Sequence, residues 1–348
     1  MLLLHSVLLL VLFVGLGAVV YQDMPALQAL NAGWAFVMVG LYRCMREQGK
    51  PGRWRAIFFM LLAFLFLPVM HGRPLAEPLP YCHIGMSGTL LQTLYGQVLA
   101  GLHGSWFKFG VLGLGAGWLL VLLAQGPGFC SWTCFFGGWD DFFSRILKKP
   151  PVRLPASSRP REFQLALFVF VLLISFAAVE PVFCQWLCPF KLTDAIIPVH
   201  ARSAMLQKCL YAAIGLGAVI LLPLFTGKRV FCSMLCPFGA LPPLFSRIVP
   251  YAVAIDDSAC TGCGICVRVC PSFAVEQPGG RVRINRYCTL CGRCLDACPE
   301  QAISLSLFRR RRSRLLLFVS VALSGALSVF YVPRGLWVVV ERLKGVLL

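Results

Sequence analysis

Cysteines spaced C-x2-C-x2-C-x3-C and followed by proline occur twice near the end of the sequence. The first run is Cys260, Cys263, Cys266, Cys270 and Pro271; the second is Cys288, Cys291, Cys294, Cys298 and Pro299. Thiolates at this spacing wrap a [4Fe–4S] cube, and the fourth cysteine of each run serves the other cube. The spacing therefore predicts one cluster on Cys260, Cys263, Cys266 and Cys298, and a second on Cys288, Cys291, Cys294 and Cys270. Ile265, Val267, Val269, Phe273, Leu290 and Leu295 are expected to wrap the cubes. Their burial, with amide hydrogen bonds to sulfur, sets the potential of such centres.

Three further pairs share another spacing: Cys130/Cys134, Cys184/Cys188 and Cys232/Cys236, each preceded by phenylalanine. The first and third belong to longer repeats, FCSWTCFFGGWDDFFSRI from Phe129 and FCSMLCPFGALPPLFSRI from Phe231. Residues four apart share a helix face, so each pair could present two thiols together. Cys130, Cys134, Cys232 and Cys236 would supply four soft ligands if the repeats pack against each other. They could hold a third iron–sulfur cluster or a metal ion, or act as a redox dithiol; the alternative is plain packing of small apolar side chains. Cys184 and Cys188 could close a disulfide, or join Cys82 and His83 in a metal site. Cys44 and Cys209 are lone thiols for which packing is the expectation.

The elements that must carry these thiols are mostly apolar helices. The chain has 348 residues, 58% hydrophobic and 13% charged; soluble domains average about 25% charged. Apolar runs of helical length fall near 2–20, 27–43, 56–70, 106–124, 163–179, 206–225 and 315–332, which predicts about seven transmembrane helices. The net charge of +18 does not point to nucleic acid, because the basic residues sit in blocks beside the apolar runs. Arg43, Arg46, Lys50, Arg53 and Arg55 form one block. Arg145, Lys148, Lys149, Arg153, Arg159 and Arg161 form another, and residues 309–314 read RRRRSR. This pattern follows the positive-inside rule. With seven spans it puts all three blocks and the cluster domain on the cytoplasmic side, the N-terminus inside and the C-terminus outside. Reduced thiolates fit that compartment. The N-terminus lacks a basic n-region, so residues 2–20 read as a retained helix. The tail with Arg334, Trp337, Arg342 and Lys344 is expected to lie along the interface.

The fold class expected is thus a mainly α polytopic membrane protein with a small α+β bacterial-type 2[4Fe-4S] ferredoxin domain. Residues 1–74 form N-terminal helices and 75–251 a membrane core with the three Cys-x3-Cys units. Residues 252–305 form the ferredoxin domain, and 306–348 the last helix and tail.

On FCSWTC at 129–134, the turn at Pro181-Val182, FCSMLCPFGAL at 231–241 and the two ferredoxin runs, the chain resembles membrane-bound 4Fe-4S ferredoxin proteins of the NapH, NosR and CcoG type, most of all the NapH-type quinol dehydrogenase membrane subunit. The resemblance covers roughly residues 75–303. Phe135 stands where the pattern has proline, and the chain lacks the flavin-bearing domain of NosR-type and the large C-terminal domain of CcoG-type proteins. The resemblance implies a multi-pass protein of the bacterial inner membrane that passes electrons between the quinone pool and a redox partner, a ferredoxin-like or cytochrome subunit. Quinol oxidation needs an apolar pocket and a proton acceptor. The outer loops offer His83 and His103, and Glu180 at a helix end, as bases. A different function also fits the cysteines: an assembly factor that reduces copper or a disulfide for a partner oxidoreductase, since thiolates suit Cu(I).

Overall fold

The computed structural model describes residues 1–71, 90–102, 119–155, 157, 159–180, 182–189, 202–249, 251–307, 310–311 and 314–347. Helix α1 (Leu2–Val20) is apolar all round and buries one stripe, Ser6, Leu9, Phe13 and Gly17. The other faces carry exposed leucines and valines, as suits a helix bathed in lipid. Pro25 opens α2 (Pro25–Glu47), whose buried Leu27, Asn31, Trp34, Met38, Leu41 and Met45 recur at helical spacing. The two helices cross where Gly17 lacks a side chain: a Cβ there would collide with Asn31, whose Nδ2 donates to the Phe13 carbonyl at 3.0 Å. Small residues at such crossings let membrane helices approach closely.

Helix α3 (Pro51–His71) and two C-terminal helices complete this bundle. The C-terminal helices, Arg314–Val329 and Val332–Leu347, meet at a 47° bend. Tyr21 donates to the Val329 carbonyl at 2.6 Å, and Trp34 Nε1 donates to Ser328 Oγ at 2.8 Å. The tail expected to lie along the interface forms a helix packed on α2 and α3. Its polar side retains the Lys344–Glu341 pair at 3.2 Å.

The second group holds Leu119–Ile146, Arg159–Ala178 and Met205–Thr226, joined by the short helix Val182–Trp186. Phenylalanines 129, 135, 136, 183, 231 and 238 fill its centre. Among the described residues four helices are long and apolar enough to cross a membrane, five if the bent pair counts as one. The seven spans expected from hydropathy are therefore met only in part; the run 106–124 is described only from residue 119.

Between the last two spans the chain changes from helix to a small α+β unit. Strand β1 (Tyr251–Ile255) pairs antiparallel with β4 (Ile303–Leu307), from Tyr251 opposite Leu307 to Ile255 opposite Ile303. β5 (Arg310–Arg311) adds to β4, while β2 (Val275–Glu276) pairs with β3 (Arg283–Ile284). The short helices Ile265–Val269 and Arg293–Ala297 pack together. The unit has an internal two-fold repeat written in its backbone. Positive φ occurs at Gly262 and Leu290, Gly264 and Gly292, Phe273 and Gln301. Each pair keeps the same offset as Cys260 and Cys288.

Candidate metal centre

The fourth cysteine of each ferredoxin run sits just past a short helix in an extended conformation: Cys270 at φ −65°, ψ 116° and Cys298 at φ −78°, ψ 115°. The helix holds the third cysteine on one side, and the extended residue throws the fourth sulfur to the other. Cys260, Cys263, Cys266 and Cys298 thus come to line a single cavity, closed by Ile255, Ile265, Val282 and Ile303. Cys288, Cys291, Cys294 and Cys270 form the neighbouring set; charge on the other three, and on Cys266 of the first set, is felt at Cys294. Backbone amides point at these sulfurs, with Ala274 N 3.3 Å from Cys270 Sγ and the Leu290 amide on Cys288. Burial pushes the Cys288 thiol up to about 12 and the Cys294 thiol well above its ordinary value. Such thiols ionise only when a cation takes the proton's place.

The same local structure recurs in the membrane core. Cys134 has φ −72°, ψ 114° and Cys236 has φ −74°, ψ 114°, each following a short helix that carries Cys130 or Cys232. Cys134 accepts amides from Phe136 and Gly137; Cys236 accepts those from Phe238 and Gly239. Gly137 and Gly239 are required, because a Cβ on either would strike the carbonyl of Cys130 or Cys232. The two units pack face to face, so that Cys134 and Cys130 both act electrostatically on Cys236. All four thiols are buried in the phenylalanine core.

A shell of buried polar side chains closes around this third set. Arg229 donates to Ser131 Oγ at 2.7 Å and to the carbonyls of Cys130 and Gly137, and stands 3.6 Å from Cys232 Sγ. Gln164 Nε2 donates to the carbonyls of both Cys232 and Cys236 at 2.7 Å. Asp140 Oδ2 accepts the Cys232 amide at 2.8 Å. Arg55 joins Asp141 at 2.7 Å and reaches the Ser131 carbonyl. Residues 55 and 161 read in the sequence as solvated members of basic blocks, yet Arg55, Arg161 and Arg229 are 1%, 3% and 0% exposed. Sequence reasoning missed this shell. The available signal was a Lys-Arg pair shortly before Phe231 and an Arg-x2-Gln turn opening an apolar helix.

The shell also binds the third set to the second. Arg161 donates to the Ser272 carbonyl at 3.1 Å and, at 3.4 Å, to that of Cys232. The Arg229 amide donates to the Pro271 carbonyl at 2.9 Å, and Trp132 Nε1 to that of Leu290 at 3.3 Å.

The remaining sequence candidates lie elsewhere. Cys188 is buried and Cys184 half-buried, and neither is in a disulfide. Their suggested co-ligands Cys82 and His83, and the candidate base His103, fall outside the described residues. Glu180 is exposed, just past the end of Arg159–Ala178. Among the described residues no three His, Cys, Asp or Glu side chains converge closely enough for a single metal ion.

Comparison with known proteins supports iron–sulfur chemistry of the 4Fe-4S kind. The family described as "4Fe-4S dicluster domain" matches residues 259–303. The family described as "4Fe-4S binding domain" matches 107–153, 163–195 and 210–250, and each stretch contains one Phe-Cys-x3-Cys unit. Ferredoxin-type protein NapH of Escherichia coli K12 is 28% identical over 159 residues, 44% of this chain and 50% of that protein. The methylamine utilization ferredoxin-type protein MauN of Methylobacillus flagellatus is 27% identical over 220 residues, 61% of this chain and 66% of that one. MauN of Paracoccus denitrificans is 40% identical over 74 residues, 20% and 26% of the two chains. The chain spans about half the length of the first curated relatives it matches. No solved structure matches it.

Proposed function

We propose, since this chain belongs with the NapH-type ferredoxin proteins that include NapH and MauN, that it is an inner-membrane protein linking the quinone pool to a redox partner, with its ferredoxin domain on the cytoplasmic side. The observation that carries this reading is the succession of three cysteine sets: Cys266 of the first acts electrostatically on Cys294 of the second, and Arg161 bonds to carbonyls beside the second and in the third. Cys260, Cys263, Cys266 and Cys298 would hold one [4Fe–4S] cluster, and Cys288, Cys291, Cys294 and Cys270 a second. Cys130, Cys134, Cys232 and Cys236 would hold a third. Cys134 and Cys236 share the backbone geometry of Cys270 and Cys298. Such clusters, when bound, take up and release single electrons.

The chain's own groups prepare that task. Arg229 and Arg161 place fixed positive charge beside sulfurs that must be anionic, where hydrocarbon gives no water to do so. The phenylalanines exclude solvent and so reduce the reorganisation that charge transfer requires. Glu180 stands about 30 Å, one 20-residue helix, from Arg161. A quinol site built on it would need another carrier across that span. A cavity of about 210 Å³ lies much nearer: apolar Ala56, Ile57, Met60 and Phe142 surround Arg53, Arg145 and Asp141. Asp141 reaches the third set through Arg55 and the Ser131 carbonyl. This is the preferred quinone headgroup site, an apolar pocket with a few convergent polar groups.

The test is anaerobic mixing of the purified protein with a quinol analogue, with iron counted on the same sample. Bleaching of the iron–sulfur absorbance without added partner supports the quinone link, and its absence ends it. About twelve irons per chain, falling to about eight when Cys130, Cys134, Cys232 and Cys236 all become serine, supports three clusters; an unchanged count removes the third.

A further inference from the structure

A cleft of about 690 Å³ opens between the end of the Leu119–Ile146 span and the two cluster-bearing helices. Arg145, Lys148, Lys149 and Arg153 line it from the end of the span and the segment after it, together with Lys228 and, from the cluster-bearing helices, Arg268 and Arg293. Asp296 is the one carboxylate in the lining, and its Oδ1 already accepts the Gly52 amide at 3.0 Å. Asp141 neutralises Arg145 from outside the cleft at 2.9 Å. Lys148, Lys149, Arg153 and Arg268 have no ion-pair partner among the described residues, and all four are exposed. Basic residues beside a span follow from topology alone. That rule does not cover Lys228, Arg268 and Arg293, from three other segments: Arg293 donates to Ser144 Oγ at 2.7 Å and to the Gly227 carbonyl at 3.2 Å, while Arg268 adds an exposed cation to the same space.

We infer that this cleft binds a phosphate-bearing anion, held between the membrane-proximal loop and the helices that carry Cys266 and Cys294. Clustered Lys and Arg donors match the several oxygens of a phosphate, and the volume falls in the range of small-ligand sites. The chemistry is shared by an anionic phospholipid headgroup and a soluble phosphate compound. Leu147 and Val152, 37% and 47% exposed beside the cations, give an apolar shelf of the kind that glycerol and acyl carbons occupy. Basic pockets between spans on the cytoplasmic side take such headgroups. The ligand would lie directly behind the second cysteine set. Lys228 Nζ, in the cleft lining, donates to the Cys270 carbonyl at 2.7 Å and to that of Arg268 at 3.2 Å. An anion there adds negative charge beside that set and makes its reduction harder.

The experiment places the holo protein in nanodiscs of phosphatidylcholine alone, or of phosphatidylcholine with phosphatidylglycerol or cardiolipin. Pyrophosphate serves as the soluble probe. Native mass spectrometry reads retained ligand, and a redox titration followed by electron paramagnetic resonance reads the centres. Anionic lipid is expected to be retained by the wild type and to lower the midpoint of one centre only. The exposed triple variant Lys148→Ala, Lys149→Ala, Arg153→Ala should bind it about a hundredfold more weakly. Pyrophosphate binding with the same shift, and no lipid retention, also supports the cleft and identifies a soluble source. Retention of neither probe by the wild type, or equal retention by the triple variant, overturns the inference. The mass readout needs neither quinol nor turnover, so this failure is distinguishable from failure of the electron-transfer reading.

Discussion

Cys263 of the ferredoxin domain is exposed and Cys260 and Cys298 are half-buried, whereas Cys130, Cys134, Cys232 and Cys236 are each 6% exposed or less. The torsions of the final cysteine in each unit are nevertheless nearly identical in the two regions. What differs is how each region satisfies the polar groups around its sulfurs. The small domain does it with main chain and tight turns: left-handed glycines at 262, 264 and 292 bring amides round to the thiols. The core cannot rely on water for its loose ends, so it recruits long side chains from three segments: Arg229 from the link before Phe231, Arg161 and Gln164 from one helix, and Arg55 from α3. Both regions aim local amides at the last thiol of each unit; the core adds a shell of buried side chains around them. The core set should then be the more sensitive to single substitutions at a distance in sequence.

The largest effect that would sharpen this contrast is expected for Arg229→Met. It strands the Cys130 and Gly137 carbonyls and the Ser131 hydroxyl without their buried cation and should destabilise by about 3–5 kcal/mol. Thermal unfolding in detergent would show it, with about four irons lost while the signals of the two ferredoxin-domain clusters persist; loss of those signals instead would break the contrast. Next come Gly137→Ala and Gly239→Ala, which drive a methyl into the carbonyl of Cys130 or Cys232. Each should cost about 1–3 kcal/mol and selectively deplete the core set. Gln164→Leu removes both donors to the Cys232 and Cys236 carbonyls and should cost about 1–3 kcal/mol by the same melt. In the small domain Gly279 has φ 58° and open space where a methyl would stand, so Gly279→Ala should cost only about 1 kcal/mol.

A pH series on chelated, reduced protein extends the comparison. Cys288 keeps its proton up to about 12 when folded, against about 8.5 in an unfolded chain. Stability from that proton is complete below about 8.5 and is lost as pH rises through the window to about 12. Denaturant midpoints of the apo form should therefore fall above about 8.5, and those of the cluster-loaded form should not. A flat apo profile would show that the thiols lie in wetter surroundings than the fold gives them.

Much of the molecule was legible from side-chain spacing. The two cysteine runs, the three Phe-Cys-x3-Cys units and the start of most apolar helices follow from local pattern, because ligand spacing and helix periodicity are short-range properties. The break after Val329 was legible in Pro333, whose ring excludes the carbonyl four residues back from the helical ladder; that carbonyl, Val329, accepts from Tyr21 instead. The roles of Arg55 and Arg161 were hidden. A basic residue beside an apolar run looks the same whether it faces phosphate or turns inward to a carbonyl. Only the packing of the Cys130 and Cys232 repeats against each other and against residues 271–290 decides between them.

The pairing of Tyr251 with Leu307 means that the chain leaves the helices and rejoins them at one doorway. Everything between these residues is a cassette whose two ends are already clasped. The doorway is not a free hinge, because Arg161, Arg229 and Trp132 donate into the cassette at the Ser272, Pro271 and Leu290 carbonyls, and excising it would strand those buried donors. Cassette and helices should therefore melt in one transition, although the chain enters and leaves the cassette at a single point.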